Sequence, residues 1–299
     1  MTSSAPPRAS AGAEGGLLAR APSPALVLGA IASVQFGSAI AATLFARVGP
    51  GGAVLLRLLF GGLVVGALRR PRLRGRSRRE LALAACFGLV LAGMNLSFYH
   101  AIRRIPLGVA VTLEFVGPLA VAIGGSRRRL DLLWVALAAG GILALARGQA
   151  HGLDALGAAL ALVAGCLWGA YILVNARVGR AFEGASGLAL ALAVGFVALL
   201  PVGILEGGAH LIEPRSLELG AAVGLLSSAI PYSFELEALR RIAPAVFGVL
   251  MSLEPAMAAV AGLVVLGQGL AARQVLGIGL VVCASVGASR RSREAPVAV

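Results

Sequence analysis

The sequence predicts an all-α polytopic membrane protein, with ten transmembrane helices arranged as two inverted five-helix repeats. Three observations predict it. The 299 residues are 59% hydrophobic with a mean hydropathy of +0.91, far above a soluble domain. The apolar runs are nearly continuous, whereas a soluble chain would alternate apolar and polar faces. The chain also repeats itself. Arg103-Arg104-Ile105-Pro106, followed by Glu114 and Pro118, returns as Arg240-Arg241-Ile242-Ala243, followed by Glu254 and Pro255. At a constant offset of 137 the arginine pairs align and Pro118 falls on Pro255.

Ten stretches of about bilayer length fall at residues 24–45, 51–68, 80–100, 106–125, 131–147, 155–177, 185–205, 217–239, 244–266 and 271–289. The first repeat covers 24–147 and the second 155–289. Five spans is an odd number, so the second copy enters the membrane in the opposite sense. Inverted repeats are the sequence mark of secondary transporters, whose site lies between the halves near the midplane. Residues 1–23 are rich in Ala, Ser, Pro and Gly and read as a disordered cytoplasmic tail; 290–299 read likewise. The connections are short and leave no room for a soluble domain.

The net charge of +13 rests on arginine alone, for all 26 basic residues are Arg. They sit at helix ends, which argues against nucleic-acid binding. Nineteen fall on the side of the two termini, six on the other, and Arg57 within a span. The positive-inside rule places both termini in the cytoplasm. The run Arg69, Arg70, Arg72, Arg74, Arg76, Arg78 and Arg79 contributes most, as an anchor near anionic lipid.

Polar residues inside the spans are expensive and ask for a reason. In order along the chain, span 1 carries Gln35 and Ser38 on one face, and span 2 carries Arg57. Span 3 carries Asn95 and Tyr99, spaced i, i+4. Span 4 carries Glu114 and, four residues on, Pro118, whose missing N–H leaves the Glu114 carbonyl without a helical donor. Spans 5 and 6 begin at Asp131 and Asp154, which read as caps. Span 6 presents Trp168, Tyr171 and Asn175 on one face. Span 8 holds Tyr232 beside Pro231 and closes with Glu235 and Glu237 next to Arg240 and Arg241, an expected interfacial charge cluster. Span 9 holds Glu254 and Pro255, and Pro255 frees the Met251 carbonyl. Each half thus carries a break at matching depth beside a carboxylate, facing protein or a wet cavity.

Glu114 and Glu254 are expected to couple protons, the alternative being anchors for the broken helices. Arg57 is expected to bind a substrate carboxylate, the alternative being a buried ion pair with Glu114. Gln35, Asn95, Tyr99, Trp168, Tyr171, Asn175 and Tyr232 are the expected substrate-binding set, against ordinary interhelical contacts. The loop with Glu206, Glu213 and Glu218 is the one acidic connection and reads as solvated. Cys86, Cys166 and Cys283 read as buried and structural.

An enzyme is not expected. Without lysine there is no Walker A motif, and His100, His151 and His210 form no HExxH pair. No GxSxG elbow is present. No cofactor or metal is expected. A homodimer is compatible with the sequence.

Several segments carry a family resemblance across residues 26–289. They are Ser33-Val34-Gln35-Phe36-Gly37, Gly93-Met94-Asn95 with Phe98-Tyr99, and Ile105-Pro106-Leu107-Gly108-Val109-Ala110. Leu113-Glu114-Phe115-Val116-Gly117-Pro118-Leu119-Ala120-Val121 is more specific. The second half adds Pro231-Tyr232-Ser233 and Met251-Ser252-Leu253-Glu254-Pro255-Ala256. The chain resembles the drug/metabolite transporter superfamily, in its EamA branch. The resemblance implies ten helices, a central cavity, and export of small amino acids of the threonine and homoserine kind across a bacterial inner membrane. It also implies coupling to inward proton movement. Other members export other polar metabolites or drugs; a passive channel is the reading from a different class. One departure stands out: where the family commonly has Leu-Gly-Glu, this chain has Leu266-Gly267-Gln268.

Overall fold

The computed structural model describes residues 21–69, 76–124, 129–147, 154–182, 186–239 and 250–291, with Arg241, Ile242 and Phe247 besides. Both expected tails lie largely outside these residues, as do Arg70, Arg72, Arg74, His151, Arg240 and the start of the ninth expected span. The described residues are helical with no strand.

The helices are α1 (Ser23–Thr43), α2 (Phe45–Arg69), α3 (Arg78–Ile102), α4 (Leu107–Glu114), α5 (Val116–Gly124) and α6 (Arg129–Arg147). The second half has α7 (Ala155–Ala181), α8 (Ser186–Gly207), α9 (Pro214–Gly224), α10 (Ile230–Leu239), α11 (Glu254–Leu266) and α12 (Ala272–Arg291). Five stretches are long and apolar enough to cross a membrane: Ser23–Thr43, Phe45–Ala67, Arg78–Ile102, Ala155–Ala181 and Ser186–Ile212. Leu107–Val121, Glu254–Leu266 and Ala272–Ala284 are shorter apolar helices.

The helix ends follow local chemistry. Ser77 opens α3 with a reciprocal capping box to Glu80. Asp154 caps α7 as expected, accepting from the Gly157 N–H at 2.7 Å, and pairs with Arg104. Gly49, at φ +66°, turns the chain before the main rod of α2. Glu206 then caps that rod through the Gly51 N–H at 2.8 Å and contacts His100 at 3.2 Å. Glu213 contacts Arg47 and His210, and Glu218 pairs with Arg215. The acidic connection is solvent-exposed as expected, and Glu206 and Glu213 also tie it to other helices. His210, hydrogen-bonded to the exposed Glu213 carboxylate, and next Arg47 hold it below the usual carboxylate range.

Gln268 resolves the departure noted above. Its Oε1 accepts the Leu107 N–H at 2.9 Å and so caps α4. An amide oxygen supplies that acceptor without a charge.

Helix pairing relates the two halves. The α2 helix packs on α8, α4 on α11, and α6 on α12. The α3–α7 pair has a counterpart in α1 with α9 and α10, and α3–α8 in α2–α9. Both α4 and α5 pack on α7, as α11 packs on α1. Close crossings use glycine, because without hydrophobic drive between helices in lipid, backbone approach supplies the packing. Gly117 of α5 and Gly165 of α7 meet backbone to backbone, leaving no room for a Cβ at either. Cys86, Cys166 and Cys283 are exposed rather than buried. An apolar helix in lipid turns its side chains outward as well as inward, so position within a span does not imply burial.

Candidate functional site

The broken spans build the site. Between α4 and α5 the chain passes through Phe115, with Pro118 in the first turn beyond. The Ser252–Leu253 turn precedes α11, whose first turn holds Glu254 and Pro255. At the 137 offset Phe115 corresponds to Ser252, so the two breaks sit at equivalent positions. The Glu114 carbonyl, which Pro118 cannot serve, lies against Gly165 of α7. This freed carbonyl is covered by protein.

The third break lies between α9 and α10. Residues Leu225–Ala229 form a π turn, followed by Pro231. Pro231 has no N–H to donate to Ser227 four residues earlier. Arg57 of α2 donates to that carbonyl through Nη2 at 3.3 Å, and to the Tyr99 hydroxyl through Nη1 at 3.3 Å. Its guanidinium also lies 5.8 Å from the Tyr99 ring centroid. Ser33 adds a 2.6 Å bond to the Leu226 carbonyl, fixing α1 to the same turn.

These elements enclose a cavity of about 220 Å³. Its wall includes Arg57, Gln35, Asn95, Trp168, Tyr171, Glu114 and Glu254 among the expected residues. Tyr99 is fully buried beside Arg57 and does not line it. Asn175 is exposed further along α7, and the structure does not bring it to the wall. Pro231 lines the cavity, but the side chain of its neighbour Tyr232 lies outside what is described. Trp168 packs edge-on against Phe115, the residue between α4 and α5, at 5.4 Å. Tyr171 stacks against Phe87 at 5.2 Å.

Among the described residues Arg57 has no carboxylate within 4.0 Å. Glu114 feels its charge at longer range. The alternative, an Arg57–Glu114 contact pair, is therefore not formed, and the guanidinium is held by a phenol and a carbonyl, both neutral. Gln35, Ser227 and Glu254 are buried, and Gln35 Oε1, Ser227 Oγ and Glu254 Oε2 have no hydrogen-bond partner among the described residues. Such atoms are costly unless something else satisfies them.

The cavity also contains Glu235, placed by sequence reasoning in an interfacial cluster. Glu237 does pair with Arg241. Glu235 faces elsewhere because the pair spaced i, i+2 points to different sides of α10. The signal was available: Ser227, Pro231 and Glu235 recur every four residues, and all three line the cavity.

Comparison with known proteins gives the family. The model of the EamA-like transporter family matches residues 155–290. The threonine/homoserine exporter RhtA of Salmonella typhimurium (strain SL1344) is 43% identical over 275 residues, 91% of this chain and 92% of its own. RhtA of Escherichia coli (strain K12) is 42% identical over 273 residues, 90% of this chain and 92% of its own. The chain belongs to the EamA-like transporter family. A solved structure described only as the crystal structure of a protein shares the fold, with a TM-score of 0.62 at 17% identity. That likeness covers 90% of this chain and 98% of the other.

Proposed function

We propose that this EamA-family protein exports small amino acids of the threonine and homoserine kind across the bacterial inner membrane, by proton antiport with alternating access. The observation that carries the reading is Arg57: a guanidinium in a membrane cavity, oriented by Tyr99 and the Ser227 carbonyl, with no carboxylate in contact. A planar fork held in this way suits a substrate carboxylate. Gln35, Asn95, Trp168 and Tyr171 complete the pocket, and Tyr99 acts through Arg57. Glu114 serves as the proton-exchanging group, and Glu254 as the more structural one.

In this reading the chain crosses the membrane ten times, with both termini cytoplasmic, as two inverted repeats spanning 24–147 and 155–289. The matched helix pairings and the equivalent breaks support it. So does the cavity's position. Leu188 near the start of α8 and Glu235 near the end of α10 line it, at the Arg-rich end. At the opposite end Glu206 ties α8 to His100 and Gly51, and Arg47 ties to Glu213. Cavity-lining residues toward one end and ties across the other support the reading of a carrier open to one side.

A second reading, export of a cationic metabolite or drug, is favoured by one observation: three carboxylates line the cavity beside a single guanidinium. The deciding experiment is a proteoliposome substrate panel with and without a pH gradient. Threonine and homoserine driven by the gradient support the first reading; cations alone support the second.

A further inference from the structure

We propose that Glu235 binds the substrate α-ammonium group, and so makes the cavity select zwitterions over plain carboxylates. The proposal rests on the export reading above and adds the residue that reads the second charge.

Each other charge in the cavity is already accounted for. Arg57 offsets Glu114 at long range. Glu254 lies in the first turn of α11, where the helix N-terminus favours a negative charge. Glu235 is half-buried one turn from the end of α10 and has no hydrogen-bond or ion-pair partner among the described residues. Glu235 lines the cavity together with Glu114 and Glu254, so three carboxyl groups share the wall with one guanidinium, an excess of acidic groups that suits a cationic one.

Arg57 and Glu235 line one cavity. Arg57 is fastened at the Ser227 carbonyl. Glu235 is eight residues further along, beyond the π turn and Pro231, on α10. Its side chain leans back toward Ser227, since helical side chains tilt to the N-terminus. An α-amino acid carries its carboxylate and its ammonium on one carbon, so a ligand held by Arg57 presents its ammonium within the same cavity that Glu235 lines. Gln35 and Ser227 line the same cavity, and their polar atoms without a partner among the described residues are available to a side-chain hydroxyl.

The test measures competition against labelled threonine in proteoliposomes holding full-length wild type or Glu235→Gln. The competitors are threonine, homoserine, and their 2-hydroxy acid analogues, which lack the amine. In wild type the amino acids compete about ten-fold or more better than the hydroxy acids, the worth of one charged hydrogen bond. In Glu235→Gln that preference collapses while the hydroxy acids compete unchanged. Glu235→Asp, which keeps the charge, retains a preference and controls for folding. An unchanged preference in Glu235→Gln overturns the proposal, as does an equal loss for both ligand classes in a monodisperse variant. If wild type exchanges no amino acid at all, the export reading fails first, which is a separate result.

Discussion

Arg57 donates to the backbone carbonyl of Ser227, the carbonyl that Pro231 leaves without its helical donor. One contact thus satisfies a broken helix and fixes a cation at the cavity wall. The polar residue and the helix break explain each other: a free carbonyl in the membrane needs a donor, and a guanidinium there needs neutral acceptors. The arrangement leaves other N–H groups of the fork for a ligand.

Replacing Arg57 should therefore damage binding, and the stranded Ser227 carbonyl should cost some stability as well. Arg57→Ala is expected to weaken carboxylate substrates by about ten-fold or more, the loss of a charge-assisted hydrogen bond. Arg57→Lys keeps a charge without the fork and should recover only part of the affinity. Binding and monodispersity measured on the same preparations separate the effects. Aggregated Arg57→Ala protein would assign Arg57 a structural role; intact protein with wild-type affinity would remove it from the site.

Coupling is expected at Glu114. Its counterpart at the 137 offset is Met251, so the sequence repeat does not demand a carboxylate there. Glu254 aligns with Gly117 and begins a helix, which suits an anchor. Glu114→Gln should keep substrate exchange but lose stimulation by a pH gradient. Full gradient-driven transport in Glu114→Gln, with loss in Glu254→Gln, would reverse the two assignments.

The Gly117–Gly165 crossing should tolerate no side chain. A Cβ on Gly117 meets the Gly165 carbonyl, which is backbone and cannot swing aside. Gly117→Ala is expected to cost about 1–3 kcal/mol, the usual range for overpacking. Thermal unfolding in detergent would show it as a lowered Tm. Gly140, with open space around its missing Cβ, provides the control, and Gly140→Ala should leave the Tm near wild type.

Topology can be read directly. Reporters fused after Gly75 and His210 should report cytoplasm and exterior respectively, from the arginine bias between the two sides. Both reporters on one side would break the inverted arrangement.

Much of this was visible in the chain because membrane helices declare themselves by composition and their breaks by proline. The Pro118 and Pro255 positions, the Asp154 cap and the buried Glu114 and Glu254 follow from residue type and spacing alone. What escaped depends on rotation about a helix axis. Glu235 and Glu237 are two residues apart, yet one lines the cavity and the other pairs with Arg241. Asn175 shares a face with Trp168 in spacing but lies exposed, a turn beyond Tyr171. The cysteines lie exposed for the same reason. Gln268 and Glu206 as caps required knowing which helix begins beside them, a long-range fact absent from local pattern.

Counterflow in proteoliposomes tests the central claim most directly. Vesicles holding the purified protein are loaded with unlabelled threonine or homoserine and diluted into labelled threonine, with no pH gradient. An alternating-access carrier that binds these amino acids through Arg57 accelerates label entry over empty vesicles, and Arg57→Ala loses most of the acceleration. Label entry through the protein at the same rate in loaded and empty vesicles would indicate a passive path and contradict the account.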